Sequence, residues 1–476
     1  MNRAIGTNGR IARRKAADPV RAALPHDHGD PPKEELLKEH PEGHAAVGTP
    51  AAGTSSFGQA RRGGLRGVLH VLGPGLITGA SDDDPSGIGT YSQVGAQLGY
   101  GLLWTTLLTF PLMTAVQEMC ARIALQTGQG LGVSLRRRFP GWLVGGAVLA
   151  LVVANTVNVG ADLGAVAAGA RLLWGGVPAF LYVVLAAALV LGFQLFSTYA
   201  NLLAVFKWLT LALFAYVASL FLSHPDGRAM LTGLFVPRLH LDATWITAVV
   251  AILGTTISPY LFFWQASSEV DELRATGKQH RRVKKRELTA ARVDVVTGMA
   301  FSQVVMFCIL CSTAAVLNAH GHTEVQTAQQ AASALQPVAG RFATVLFALG
   351  LVGTGLLAVP VLTGSAAYAV REVAGFGGGL GLKPRYRPTF YAIIAAATVV
   401  GVVLNAVGLD PIRALFLTAV INGLVAPPLL VLITLVATDR RIMADRVSGR
   451  LSRTVSWAAT GVMSVAALAL VATTVR

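Results

Sequence analysis

The stretch Ser81-Asp82-Asp83-Asp84-Pro85-Ser86-Gly87 interrupts one of the most apolar parts of the chain, with VLHVLGPGLITGA (68–80) before it and IGTYSQVGAQLGYGLLWTTLLTF (88–110) after it. Three carboxylates and a helix breaker at such a place need a physical reason. The surroundings supply half of it. Of 476 residues, 53% are hydrophobic and only 13% charged, whereas soluble proteins carry about a quarter charged residues. Eleven apolar segments recur at approximately 66–97, 100–127, 141–170, 177–196, 198–222, 241–271, 288–317, 341–370, 388–407, 411–437 and 454–475, each suited to a hydrocarbon core of about 30 Å. The expectation is an all-α polytopic membrane protein of about eleven transmembrane helices, surrounded by lipid bilayer. A water-soluble protein is excluded.

The formal charge of +15 does not imply a nucleic-acid partner, because the basic residues sit in short loops between apolar segments, where they set topology. One alternating set of loops holds Arg136 to Arg138, the run from Arg274 to Arg286, Arg371 to Arg387, and Arg440 to Arg453; the other holds only Arg171, Arg228, Arg238, Arg341 and Arg413. The first set and the N-terminus are therefore expected in the cytoplasm, and an odd number of spans leaves the C-terminus outside. Residues 1–64 read as a disordered basic tail, in which His26, His28, His40 and His44 are solvated rather than a metal site. Residues 65–476 form the transmembrane domain. The buried-looking Cys308 and Cys311 read as small packing residues of an apolar helix.

A second interruption occurs at Gly254-Thr255-Thr256-Ile257-Ser258-Pro259-Tyr260, five segments later. Placing Pro85 on Pro259 aligns Ser81 with Thr255 and Asp84 with Ser258. Five is odd, so the two breaks enter the membrane from opposite sides. That is the pattern of an inverted repeat of five helices (65–222 and 241–437, with 454–475 extra) whose discontinuous first and sixth helices meet at the midplane.

Backbone groups released at such breaks must face protein or a water-filled cavity. Asp84 caps a helix that starts at Pro85, and beside the carbonyl end of a half-helix its charge attracts a cation. Asp82 and Asp83 point elsewhere around the helix, since successive residues turn by roughly 100°, and are read as lining an approach or bonding locally. The second break offers Thr255, Thr256 and Ser258. No Met, His or Cys lies between Gly254 and Glu272, so the donors are hard oxygens, which suit Mg²⁺, Ca²⁺ or Mn²⁺. Asn155, Asn158 and Asp162 share one face of the third segment and line a water path or bond a neighbouring helix. Glu118 and Arg122 read as an i, i+4 ion pair. Asn422, before Ala426-Pro427-Pro428, is a candidate amide ligand, and Glu269, Asp271 and Glu272 close the sixth segment at a vestibule or in solvent.

These residues resemble the NRAMP divalent-metal transporters, over GPGLITGASDDDPSG in the first segment, Gln117 with ARIALQTGQGLG in the second, ADLG at 161–164 in the third and the break before Pro259 in the sixth. The resemblance implies a LeuT-like fold, alternating access and divalent-metal transport. It also implies ligands that this chain alters. The family's Asp-Pro-Gly-Asn reads Asp84-Pro85-Ser86-Gly87, its Met-Pro-His reads Ser258-Pro259-Tyr260, and its Asp-Leu-Ala-Glu reads Asp162-Leu163-Gly164-Ala165. The pattern is similar to the NRAMP-related magnesium transporter branch. The expected function is therefore secondary transport of Mg²⁺ or Mn²⁺ across a bacterial-type inner membrane, without strict proton coupling and with no resident cofactor. Asp84, Ser81, Gly87, Thr255, Ser258 and Asn422 are the expected metal site, Gly87 leaving room for retained water; Asp82, Asp83, Asn155, Asn158, Asp162 and Tyr260 are pathway candidates. The alternatives are a proton-coupled Mn²⁺ or Fe²⁺ importer using Asp162, an amino-acid transporter of the same architecture, and a cation channel. No nucleophile, base and oxyanion arrangement suggests an enzyme.

Overall fold

The computed structural model describes residues 74–474 apart from 198, 241, 278–282, 326–327, 381, 383 and 409. The N-terminal tail with its four histidines, residues 66–73 of the first apolar segment, and Lys278, Arg281, Arg282 and Lys383 lie outside the described residues. Each of the eleven apolar segments is largely helical over its described part, the first and sixth apart from their breaks.

The first segment gives α1 (Pro74–Asp82) and α2 (Pro85–Leu98), and the second gives α3 (Thr105–Thr127). The third is α4 (Gly141–Leu173), the fourth α5 (Ala179–Phe196), and the fifth α6 (Tyr199–Leu209) and α7 (Phe214–Leu222). The sixth is again divided, into α8 (Ala243–Thr256) and α9 (Pro259–Ala275). The remainder are α10 (Lys285–Val316), α11 (Ala328–Ala374), α12 (Pro388–Ala406), α13 (Pro411–Ala437) and α14 (Arg450–Thr474). Helix α13 continues through Pro427 and Pro428.

Among the described residues nine helices are long and apolar enough to cross a membrane, α8 with α9 counted as one; α2 and α3 together meet the same test, bent by 111° between them. The sequence divides that bent pair between its first and second segments, which is why it suggests a larger number of spans.

The packing carries the signature of a repeat. Advancing every segment by five leaves α3 against α10, α4 against α11 and α5 against α12 unchanged, because each of these pairs joins a helix to its own counterpart. The same operation turns α2 against α10 into α9 against α3, and α4 against α13 into α11 against α7, and all four contacts exist. The divided segments occupy the centre: α8 and α9 are buried along nearly all of their apolar length. Helices α5, α12 and α14 turn Leu185, Leu189, Val399, Val403, Val465 and Leu468 outward, a belt suited to lipid.

Two crossings depend on glycine. A methyl group at Gly79 of α1 would lie 2.1 Å from the carbonyl oxygen of Gly298 on α10, and one at Gly254 of α8 would lie 2.0 Å from the carbonyl oxygen of Ala419 on α13. Small residues permit this backbone approach between membrane helices. Both crossings lie within a turn or two of the breaks, so they fix the half-helices against α10 and α13. Gly79→Ala and Gly254→Ala are each expected to destabilise the protein by about 1–3 kcal/mol, read as a lower thermal midpoint of the purified full chain. Gly146→Ala, where no atom lies within 4 Å of the added methyl, should leave the midpoint unchanged or slightly raised.

Candidate metal centre

Proline decides what the breaks leave open. In a continuous helix the carbonyl of Ser81 would accept from the N–H of residue 85, and that of Thr255 from residue 259. Both are prolines and have no N–H. The structure supplies a hydroxyl to each orphaned carbonyl. Tyr260 Oη donates to Ser81 O at 2.6 Å, across the two breaks, while Ser258 Oγ donates to Thr255 O at 2.6 Å within its own break and reaches Gly254 O at 2.8 Å. Ser365 of α11 holds the tyrosine in turn, donating to its backbone oxygen at 2.7 Å.

Asp84 is the N-cap of α2. Its Oδ1 accepts from the Gly87 N–H at 2.8 Å and from Ser86 Oγ at 2.6 Å, the capping geometry that Asp before Pro predicts. Its Oδ2 accepts from Asn158 Nδ2 of α4 at 3.0 Å and lies 3.2 Å from Tyr260 Oη. A phenol has one proton to give. Directed to the nearer Ser81 carbonyl, it leaves Oδ2 with Asn158 as its full donor and with acceptor capacity on the side of the sixth segment.

Beside this cap the chain has no side chain at Gly87. A methyl there would lie 3.2 Å from Thr255 Oγ1, 3.3 Å from the carbonyl oxygen of Asp82 and 3.3 Å from the Tyr91 ring. Thr255 Oγ1, Tyr91 Oη and Ser81 Oγ are buried without a hydrogen-bond partner among the described residues. The place thus gathers neutral oxygens from both breaks next to a carboxylate. Tyr91 is absent from the sequence-derived site, although its spacing of four from Gly87 puts it on the same helix face.

The remaining acids are arranged differently from one another. Asp82 Oδ2 accepts from Ser302 Oγ of α10 at 2.6 Å, and its Oδ1 is unpartnered. Neither oxygen of Asp83 nor of Asp162 has a partner among the described residues. All four aspartates, Asp82, Asp83, Asp84 and Asp162, are buried, and among the described residues no Lys, Arg or His forms an ion pair with any of them. No three His, Cys, Asp or Glu side chains of the described residues are placed to hold one ion, so a cation here would rest on one or two carboxylates and neutral oxygens.

The other sequence candidates separate. Asn155 donates to Leu362 O of α11 at 3.1 Å and Asn158 to Asp84, so the polar face of the third segment binds neighbouring elements through both asparagines and leaves Asp162 unbonded. Asn422 is buried on α13 with its Nδ2 unpartnered. Glu118 and Arg122 form the expected ion pair, to which Ser452 of α14 adds a hydrogen bond on Glu118 at 2.9 Å. The acids ending the sixth segment are not uniformly solvated. Glu269 and Asp271 are buried; Glu269 accepts from Gln265 at 3.0 Å and Asp271 from Tyr368 at 2.5 Å. Glu372 nearby accepts from Gly132 N and Ser267 Oγ, each at 2.8 Å, and from Arg371 at 3.2 Å. This network joins α9, α11 and the helical turn Leu131–Arg136 that follows α3.

At the opposite end a cavity of about 500 Å³ is lined by Gln93 and Gln97 of α2, Thr244 and Thr247 of α8, and Phe416 and Val420 of α13. Its walls are the same three helices that carry Gly87, Thr255 and Asn422.

A profile of the family described as natural resistance-associated macrophage protein-like (Nramp) matches residues 75–473. The chain belongs to the Nramp family. It is 28% identical over 441 residues to the divalent metal cation transporter MntH of Deinococcus radiodurans, covering 91% of this chain and 94% of that one. It is 26% identical over 399 residues to MntH of Klebsiella pneumoniae, covering 82% and 91%. The Nramp fold is shared with a solved manganese transporter of Eremococcus coleocola, at a TM-score of 0.69 and 19% identity over 85% of this chain and 86% of that one. Mhp1, a nucleobase-cation-symport-1 family transporter, superposes at a TM-score of 0.54 and 16% identity over 85% and 91%. Within the Nramp frame, the departures seen in the sequence fall where the structure is most particular. Gly87 allows Thr255 Oγ1 and the Asp82 carbonyl to approach closely, Ser258 satisfies a carbonyl, and Tyr260 bridges the breaks.

Two substitutions test this geometry. Tyr260→Phe removes the donor that the described residues place on the Ser81 carbonyl and should lower stability by about 1–3 kcal/mol, read as the thermal midpoint. Gly87→Ala meets atoms at 3.2–3.3 Å, which neighbours can accommodate, so the protein should fold with a near-normal midpoint while uptake of divalent cation falls at least tenfold.

Proposed function

We propose that the chain moves a divalent cation, Mg²⁺ or Mn²⁺, into the cell by alternating access, with the ion held between the two breaks. One observation carries the reading: four buried aspartates at the breaks and on α4 have no cationic side chain paired with them among the described residues. Ionised groups at membrane depth are costly and mark ion pathways. A cargo carrying two positive charges offsets that cost, and an anionic or carboxylate substrate would add to it. The relatives named as divalent metal cation transporters and the manganese transporter of the same fold support the class of cargo.

In this reading Asp84 is the anchoring charge. Thr255 Oγ1 and the Asp82 carbonyl lie closest to the side of Gly87 where a side chain would stand, with the edge of the Tyr91 ring beside them. Ser81, Ser258 and Asn422 complete the surroundings. The donor set is oxygen alone, which suits a hard and partly hydrated ion, and this supports the magnesium-transporting branch of the family. Proton coupling is not required by energetics. Two charges moving down 100 mV release roughly 4.6 kcal/mol, enough for accumulation on the order of a thousandfold.

Asp162 favours a second reading, a proton-coupled importer of Mn²⁺ or Fe²⁺. It is fully buried with both oxygens unpartnered and stands within electrostatic range of Asp84, as a proton acceptor beside a metal site would. Proteoliposomes containing the purified chain separate the two. The expected result is uptake of Mg²⁺ and Mn²⁺ driven by an inside-negative potential, no metal-dependent internal acidification, and loss of at least tenfold in Asp84→Ala. Acidification that tracks uptake and disappears in Asp162→Asn establishes the second reading. Full uptake in Asp84→Ala removes the site.

A further inference from the structure

The loops assigned to the outer face by their charge are poor in basic residues, yet two of their few arginines line one cavity. A second cavity, of about 450 Å³, is lined by Arg228, Arg238 and His240 together with Tyr100, Trp245 and Asn318. Asp226 also reaches it, but its carboxylate caps the helix Gly227–Phe235, Oδ1 accepting from the N–H groups of Arg228 and Ala229 at 2.9 and 3.2 Å. Among the described residues neither Arg228 nor Arg238 forms an ion pair. Two planar guanidinium groups on one concave surface match the oxygens of a phosphate group, which they engage in forked, charge-assisted pairs.

We infer that this cavity binds a phosphate-type oxyanion, either a free phosphate or the phosphate of an anionic lipid headgroup. The cavity is separate from the metal cleft and would repel the cation that the cleft attracts. Its walls give the occupant a structural consequence. Leu98 to Gly101 continue the end of α2, and Trp245 lies in the first turn of α8, so the cavity joins the outer ends of both broken segments. Asn318 reinforces that junction by donating to the Ala96 carbonyl at 2.8 Å. An oxyanion held by Arg228 and Arg238 ties the loop between α7 and α8 to these ends and stabilises their arrangement.

The test uses the full chain in nanodiscs of phosphatidylcholine alone, titrated with inorganic phosphate, and in nanodiscs of phosphatidylcholine with one quarter phosphatidylglycerol. The expected result in the first is a saturable rise in thermal midpoint on the order of 2 °C, absent in the Arg228→Gln/Arg238→Gln double variant and retained in Arg171→Gln. If phosphatidylglycerol alone gives the rise and makes added phosphate ineffective, the lipid phosphate is the occupant. A phosphate response that persists in phosphatidylglycerol identifies the free anion. Calorimetric titration of the unmodified chain with phosphate provides a readout independent of the variants. Absence of stabilisation and of binding heat in both lipid compositions, or a rise of the same size in the double variant, overturns the site.

Discussion

A carbonyl oxygen released in the middle of a membrane has no water to bond to, and Ser81 carries such an oxygen because Pro85 has no N–H to give it. The bond from Tyr260 to that carbonyl satisfies it. The tyrosine sits immediately after the proline of the other break, so satisfying the first break requires the second to be alongside. The position of α1 and α2 relative to α8 and α9 follows from this constraint, and the cleft between them follows from the position.

The second break meets the same need locally, through Ser258. The two halves of the repeat are therefore chemically unequal at equivalent places. One break donates a phenol across to the other, which contributes the carboxylate cap and the glycine that lets the two approach closely. The neutral oxygens nearest Gly87 belong to Thr255 and to the backbone of Asp82, with the edge of the Tyr91 ring beside them. A single capping carboxylate beside neutral oxygens is a hard-oxygen environment, the kind in which divalent ions such as Mg²⁺ commonly keep part of their hydration.

The two ends of the bundle differ in a way that bears on alternating access. On the side of Asp271 and Glu372, carboxylates, a guanidinium, a phenol and a backbone N–H bind one another across α9, α11 and the segment after α3. On the other side the cavity between α2, α8 and α13 remains open above the cleft. With Gln93 about a turn and a half beyond Gly87 on α2, that cavity lies within ~10 Å of the site. Ion pairs and hydrogen bonds are reversible in a way that close glycine crossings are not, so the network is the part of its end of the bundle suited to rearrangement.

By itself the sequence determined the helices, both breaks, the five-segment offset between them and the cap at Asp84, since each depends on local physics: apolar length, proline without an N–H, and an aspartate preceding it. It also paired Glu118 with Arg122 from their spacing. Tertiary structure alone decided which oxygens remain available. Asn155 and Asp162 share a helix face, but Leu362 lies opposite one and, among the described residues, no donor reaches the other. Asp82 and Asp83 are adjacent and chemically identical, and Ser302 of a helix more than two hundred residues away distinguishes them. Whether a polar atom is bonded or free depends on what packs against it, and long-range packing leaves no periodic trace in one chain.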